Sequence, residues 1–179
     1  MSCCRIESNR HKRVKIRCLA ILANKCVFGF NICFCVGNQL LPTEVFQSST
    51  HPCSKPDICG AAQRCIDSNI TTFCHTKTDD APWFALNFSV PVVVTKVDIY
   101  SASWARVGDL EVRVTNTLPT DGSTVFSGGE LFGIYPSHER SFEGTPQRGM
   151  YVVLQRNSGQ LPKDSLIMNE IWVFGYPSK

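Results

Sequence analysis

Apolar and polar residues alternate with a period of two in several short segments after residue 90, a pattern typical of β-strands with one buried face. Four segments show it most clearly, namely residues 90–100, 110–114, 150–155 and 170–175. In the second segment the alternation places three aliphatic side chains on one face: Leu110, Val112 and Val114. In the first segment it predicts another shared face: Val93, Thr95, Val97 and Ile99.

Segments rich in Gly, Pro, Asn and Asp separate these strands, and we predict turns there rather than regular structure. They are residues 118–123, 126–130, 134–149 and 156–165. No segment has a helical period of useful length. Short strands joined by turns, without intervening helices, predict an all-β antiparallel sandwich rather than a βαβ sheet.

The N-terminal region is basic and then apolar. Seven of the 18 Lys and Arg lie in the first 37 residues, where Glu7 is the one acid. The mainly apolar stretch after Lys25, residues 26–36, is too short for a transmembrane helix, so residues 1–37 are predicted to be a secretory signal peptide. A buried strand, or a signal-anchor that uses residues 18–36, is the alternative. One domain is predicted from residue 40 to 179.

Residues 38–179 carry 11 basic and 14 acidic side chains, which leaves this body acidic. It therefore lacks the cationic surface that a phosphate backbone requires, and nucleic acid is excluded as a partner. A membrane is a partner only if the N-terminal segment is retained as an anchor. The chain has no Gly-x-Ser-x-Gly or His-Glu-x-x-His motif and no phosphate-binding Gly-rich loop, so we do not expect an enzyme.

Four cysteines lie in the body: Cys53, Cys59, Cys65 and Cys74. Their spacing lacks the short pairs of a zinc site, and a secreted protein folds in an oxidising compartment. Two disulfides are therefore predicted, and three pairings are open. The triplets Asn69-Ile-Thr71 and Asn87-Phe-Ser89 fit the acceptor pattern for N-glycosylation.

A series of short segments resembles the F-type lectins, the fucolectin family, in sequence and in order. They are QSST (47–50), GAAQRCIDSN (60–69), HT (75–76), PWFALNF (82–88) and a final strand that contains a glutamate (170–175). The resemblance covers residues 41–176. It implies a jelly-roll β-sandwich of the galactose-binding-like type, in agreement with the strand pattern.

The resemblance also implies a sugar site. In the family a histidine and two arginines donate hydrogen bonds to L-fucose, and His75 and Arg106 match the histidine and the second arginine. The position of the first arginine holds Ala102, and Trp104 stands where the family has an aspartate. Trp104 is predicted either to stack on the apolar face of a sugar or to fill the space of a shortened loop.

A structural calcium ion is the second implication of the resemblance. The matching ligands are Asp67, Asn69, Thr72 and Glu170, and oxygen ligands of this kind suit a hard cation. A hydrogen-bonded turn at residues 67–69 without metal is the alternative. The cysteines that the family joins are replaced here by Phe73 and Asn169, so Cys74 is expected to pair within residues 53–65.

Together these features predict a secreted or cell-surface, non-catalytic lectin module that binds fucosylated glycans, with calcium as its cofactor. Assembly of several copies is expected, since single sugar sites bind weakly. The alternative is a module of the same fold that has lost sugar binding and serves as a protein-contact or adhesion domain.

Overall fold

The computed structural model describes residues 37–101, 110–123, 125–135, 141–156 and 164–178, together with the backbone of four short strands before residue 37. The chain forms two compact units, Met1–Val36 and Gly37–Lys179. The described residues contain no helix that is long and apolar enough to cross a membrane.

In the first unit the four strands form two antiparallel pairs. They are β1 (Ile6–Glu7) with β2 (Lys15–Ile16), and β3 (Cys26–Gly29) with β4 (Ile32–Cys35). The predicted signal peptide or anchor, residues 1–37, falls in this region and stays a prediction.

The second unit is built from strands and one 3-10 turn (Ala62–Cys65) in its described part. The strands are β5 (Asn38–Leu40), β6 (Glu44–Gln47), β7 (Cys59–Gly60), β8 (Phe73–His75), β9 (Trp83–Tyr100), β10 (Leu110–Thr115), β11 (Glu130–Tyr135), β12 (Ser141–Arg156), β13 (Ile167–Met168) and β14 (Glu170–Pro177). Seven strands form one sheet in the order β11-β10-β12-β9-β14-β5, with β6 also paired to β9. A smaller sheet has the order β13-β8-β7. The predicted all-β class is confirmed.

Strands β9 and β12 are long and serve both layers of the sandwich. The first part of β9 pairs with β6, and its second part pairs with β14. Between the two parts, Ser89 adopts a left-handed backbone conformation with φ 59°, and the register with β12 shifts between Gly149 and Tyr151. Such irregularities bend a strand, so both strands turn from one layer into the other. The aliphatic side chains of the two layers meet in one core.

The predicted inward face of β10 is confirmed, because Leu110, Val112 and Val114 are all buried. The predicted face of β9 is wrong in its first half: Val93 and Thr95 are only half-buried.

A β-bulge explains that error. Consecutive residues of β14, Phe174 and Gly175, pair with Lys96 and Val94 of β9, so Thr95 is an extra residue. An extra residue reverses the inward and outward alternation. The core face of β9 is therefore formed by Val92 and Val94 before the bulge and by Val97 and Ile99 after it.

The turns predicted for residues 134–149 are also wrong over much of that segment. Strand β11 reaches Tyr135, and β12 begins at Ser141. The register of β12 shifts between Glu143 and Gln147, so a bulge accommodates the glycine and proline of this stretch. An edge-to-face contact between Phe132 and Phe142, with ring centroids 5.6 Å apart, packs the two strands together.

Candidate functional site

His75 is the last residue of β8, and its backbone is held by pairing with β13 and by a hydrogen bond from His51. β8 pairs in parallel with β7 and antiparallel with β13, where Ile167 is the partner of His75. Directly after it, the Thr76 amide donates to the Leu166 carbonyl at 3.1 Å, and the Leu166 amide donates to the Thr76 hydroxyl at 2.9 Å. The half-buried His75 imidazole places its Nε2 3.3 Å from Oγ of Ser165.

A second histidine, His51, covers the His75 ring. The two ring centroids are 4.1 Å apart and the planes are inclined by 26°, so the imidazoles stack. The His51 amide also donates to the His75 carbonyl at 2.9 Å. Sequence reasoning missed this residue and Ser165. The one signal for His51 was its place directly after the QSST segment.

Ser101, the last described residue before the rest of the predicted sugar motif, is hydrogen-bonded to the strand partner of His75. The Ser101 hydroxyl, at the end of β9, donates to the Ile167 carbonyl at 3.0 Å, and Ile167 is the strand partner of His75. Three residues of that motif lie outside the described residues: Ala102, Trp104 and Arg106. The roles of Trp104 and Arg106 stay predictions.

The four residues predicted to bind calcium lie together: Asp67, Asn69, Thr72 and Glu170. The Asn69 amide donates to Oε1 of Glu170 at 2.8 Å and to Oδ1 of Asp67 at 3.0 Å. The Thr72 hydroxyl lies 2.9 and 2.8 Å from the two carboxylate oxygens of Asp67. The hydrogen bond from Asn69 to Glu170 thereby joins this loop to the start of β14, which lies 101 residues further along the chain.

The backbone of this loop has the shape that the family pattern Asp-Gly-Asn requires. Ser68 stands at the glycine position and adopts a left-handed conformation with φ 62°. Such a conformation is strained for a residue with a Cβ, which explains the family's glycine. A disulfide between the buried Cys65 and Cys74 closes the loop, and a second disulfide joins Cys53 and Cys59. The two predicted disulfides and the pairing of Cys74 within residues 53–65 are confirmed.

Glu170 is almost fully buried, with 1% of its surface exposed. The pKa of its carboxyl is raised from the ordinary value of 4.5 to about 7, chiefly by burial. Within this shift the hydrogen bond from the Asn69 amide lowers the pKa, whereas the neighbouring Asp67 carboxyl raises it. The buried Glu170 carboxyl is therefore held next to the exposed Asp67 carboxyl, a like charge that disfavours its ionised form.

These residues fit a calcium ion by their chemistry. Calcium is bound by carboxylate, hydroxyl and main-chain carbonyl oxygens, and the side chains of Asp67, Glu170 and Thr72 supply the first two kinds here. The Arg64 guanidinium already lies 3.6 Å from Oδ2 of Asp67, so a calcium ion would share this carboxylate with it. Both oxygens of Asn69 already accept two hydrogen bonds: the side-chain oxygen accepts the amide and the hydroxyl of Thr71, at 3.1 and 2.7 Å, and the main-chain carbonyl accepts the amide and the hydroxyl of Thr72, at 3.1 and 2.8 Å. Among the described residues, no group of three or more His, Cys, Asp and Glu side chains is placed to hold a metal ion.

Asn169 makes a connection where the family has a disulfide. Its side-chain amide donates to the carbonyls of Ile70 and Thr72, at 3.0 Å each. The other cysteine position is occupied by Phe73, which neighbours Thr72. Hydrogen bonds thus join the loop to the residue before β14, at the position where the F-type lectin pattern has a cysteine.

An open cleft of about 270 Å³ lies elsewhere, lined by Ser48, Thr78, Asp79, Asp80, Asp121, Gly122 and Ser123. It does not include His75. Its Asp79 carboxylate already accepts hydrogen bonds from the hydroxyls of Ser48 and Ser49, at 3.1 and 2.5 Å. We assign no function to it, because these bonds account for its central charged group.

Several solved structures similar to this chain are of lectins or fucose-binding modules. A fucolectin (F-lectin) from striped bass (Morone saxatilis) serum is 22% identical with a TM-score of 0.62, over 80% of this chain and 50% of that chain. A Streptococcus pneumoniae fucose-binding module, SpX-3, is 19% identical with a TM-score of 0.56, over 78% and 98%. The lectin domain of lectinolysin, in complex with Lewis B antigen, is 19% identical with a TM-score of 0.54, over 74% and 92%.

These likenesses define the fold of the chain. It is a galactose-binding-like jelly-roll β-sandwich of the kind found in F-type lectins, so the fold implied by the resemblance is confirmed. The chain matches half the length of the striped bass fucolectin chain. No protein-family model matches the sequence, and no curated protein matches it either.

Proposed function

We propose that this chain is a non-catalytic, extracellular carbohydrate-binding module for fucosylated glycans, stabilised by calcium. One observation carries the proposal. His75 matches the family's sugar-binding histidine in the sequence pattern, its backbone is held by β13 and by the His51 amide, and its imidazole remains partly exposed. Neighbours of the same fold include a fucose-binding module and a domain in complex with Lewis B antigen.

Recognition uses hydrogen bonds and one apolar contact. The His75 imidazole donates to a ring or hydroxyl oxygen of the sugar, and the Arg106 guanidinium donates to a second oxygen. Trp104 offers an indole surface for the methyl group or the apolar face of the sugar. Because Ala102 cannot donate, we expect weaker binding than a complete motif gives, by roughly tenfold to a hundredfold.

Calcium has a structural role in this proposal. Asp67, Thr72, Glu170 and the main-chain carbonyl of Asn69 hold the ion, which neutralises the two adjacent carboxylates. The ion then strengthens the connection between the loop and β14, which the Asn69–Glu170 hydrogen bond already makes. Since Cys74 ends the disulfide-closed loop and His75 follows it directly, a firm loop also positions the sugar-binding histidine.

The module is proposed to act outside the cell, in secreted form or at the cell surface. Two disulfides are typical of proteins that fold in an oxidising compartment, and the basic and apolar N-terminal residues resemble a secretory signal. Several copies, if they assemble, would raise the avidity for glycans that carry more than one fucose.

A glycan array with the full chain tests the proposal. We expect binding of fucosylated glycans that requires calcium and disappears in His75→Ala, while the control His138→Ala binds as the wild type does. Folding of each variant is checked by circular dichroism. Absence of binding by the folded wild type, or unchanged binding by His75→Ala, would contradict it.

A further inference from the structure

The two glycosylation triplets of the sequence lie in very different surroundings. N-glycosylation attaches an oligosaccharide to the side-chain nitrogen of an asparagine in the pattern Asn-x-Ser/Thr, and the modified residue must remain at the surface. Asn69-Ile-Thr71 lies in the loop between the 3-10 turn and β8, whereas Asn87-Phe-Ser89 lies within β9. Sequence alone does not distinguish them.

The asparagine of the second triplet is buried, and its side chain is hydrogen-bonded within the sheet. Asn87 is 8% exposed and pairs with Glu44 and Tyr151 on the adjacent strands. Its Nδ2 donates to Oε2 of Glu44 at 2.9 Å, and its Oδ1 accepts the Ser89 amide at 2.9 Å. A sugar on Nδ2 would have to break the first bond and open the pairing with β6. The folded domain therefore excludes a glycan at this position.

The first triplet is exposed over all three residues, Asn69, Ile70 and Thr71. The side-chain oxygen of Asn69 accepts the Thr71 hydroxyl at 2.7 Å and the Thr71 amide at 3.1 Å. These two bonds orient the asparagine and the hydroxyl residue of the triplet toward each other. Nδ2 of Asn69, the atom that a glycan would modify, makes no hydrogen bond to any of the described residues.

The main chain of Asn69, and not its side chain, holds the loop in place. Its amide donates to Asp67 and Glu170, and its carbonyl accepts the Thr72 amide at 3.1 Å. A group attached to Nδ2 leaves all these bonds intact. Such a group also covers Ile70, an apolar side chain that is 53% exposed. A glycan on Nδ2 therefore leaves the main-chain carbonyl of Asn69 in place as the proposed calcium ligand.

We propose that Asn69 is an N-glycosylation site and that Asn87 is not. The co-reactant is an oligosaccharide linked to a polyisoprenyl pyrophosphate, which the transferase of the secretory pathway supplies. Nδ2 of Asn69 forms a bond to the anomeric carbon of the sugar, and the bond from that carbon to the pyrophosphate oxygen breaks. The pyrophosphate leaves with the electron pair, and one amide proton passes to a base of the transferase. The proposal requires entry into the secretory pathway but not sugar binding at His75.

Site mapping on the full chain, expressed in cultured animal cells, tests this proposal. The protein is treated with peptide N-glycosidase in water labelled with oxygen-18, which converts a glycosylated asparagine into a labelled aspartate that mass spectrometry locates. We expect the label at residue 69 and an unmodified Asn87. Asn69→Gln and Thr71→Ala should each remove one glycan from the intact mass, whereas the controls Asn87→Gln and Thr71→Ser should retain it.

Each other outcome overturns the proposal. An unmodified Asn69 in the recovered wild-type chain would show that the site is not used, and a label at residue 87 in the folded protein would show that burial does not protect it. Because the mapping uses wild-type protein, it does not depend on the folding of any variant. It is also independent of the glycan array, since a chain that binds no glycan can still carry one.

Discussion

His51 stacks on His75 and is bonded to it through the main chain. The imidazole centroids lie 4.1 Å apart, and the His51 amide donates to the His75 carbonyl at 2.9 Å. His51 is exposed, whereas His75 is half-buried, so the His51 ring covers one face of the His75 ring. With Ser165 at the His75 Nε2, this contact restricts the imidazole to one orientation before any ligand binds.

We therefore expect His51→Ala to weaken glycan binding about twofold to tenfold, which corresponds to the usual 0.5–1.5 kcal/mol of a ring contact. His51→Phe retains a stacking ring and should bind as the wild type does. Titration of both variants with a fucosylated oligosaccharide measures the difference. Equal affinity of His51→Ala and wild type would show that the stack does not orient His75.

The buried Glu170 makes stability depend on pH when no metal is present. Its pKa is about 7 in the folded protein and near 4.5 in the unfolded chain, so the folded state holds more protons between these values. The free energy of unfolding should then fall as the pH rises from 4.5 to 7, by on the order of 1–3 kcal/mol, and stay level above pH 7. Below pH 4.5 the full stability is present.

Glu170→Gln separates this effect from others, because the amide keeps an oxygen acceptor for Asn69 without a charge. With a chelator present to remove metal ions, the variant should unfold at a higher temperature than the wild type at pH 7.5. At pH 5 the two proteins should unfold at similar temperatures. Glu130→Gln, at an exposed position, is the control. A wild-type stability that does not decline between pH 4.5 and 7 would contradict the pKa of Glu170.

Calcium should reverse this loss of stability. A ligand present at a hundredfold excess over its dissociation constant stabilises the folded state by about 2.7 kcal/mol. We expect millimolar calcium to raise the unfolding temperature of the wild type by several degrees at pH 7.5, and by less at pH 5, where Glu170 must first lose its proton. Asp67→Asn and Glu170→Gln should show little response. Equal responses of the wild type and both variants would place the ion elsewhere.

The two disulfides should differ in their effect on calcium binding by the loop between Cys65 and Cys74, which contains three of the four proposed ligands. Cys65 and Cys74 enclose Asp67 and Thr72, and both sulfurs are buried. Replacing this pair by alanines should cost about 2–3 kcal/mol of unfolding free energy, as expected for a short closed loop, and should also weaken calcium binding. Alanines at Cys53 and Cys59 should leave the calcium response unchanged. Calorimetry with calcium compares the two double variants.

The sequence predicts the strands well where a single face is buried without interruption. Leu110, Val112 and Val114 alternate regularly, and their burial follows the prediction. The prediction of the buried face of β9 fails at Thr95, because the bulge there is set by the register between two strands that are distant in sequence and not by local residues. Similarly, the glycine and proline between Glu143 and Gln147 suggest a turn, but β9 on the adjacent side keeps this stretch within the sheet.

The candidate site follows from sequence only as far as single positions. The order of short motifs suggests His75 and the four proposed calcium ligands, and their roles stay predictions. The stack of His51 on His75 could not be predicted, since it depends on a hydrogen bond across 24 positions of the chain. The choice among three disulfide pairings likewise required the positions of Cys65 and Cys74 in the fold.

The most direct test of the central claim is a calorimetric titration of the full chain with Lewis B oligosaccharide in the presence of calcium. We expect saturable binding by the wild type and none by His75→Ala, with the same unfolding temperature for both proteins. Wild-type protein that is folded and calcium-loaded but binds no fucosylated ligand would contradict the claim. It would favour the alternative of a protein-contact domain with the same sandwich fold.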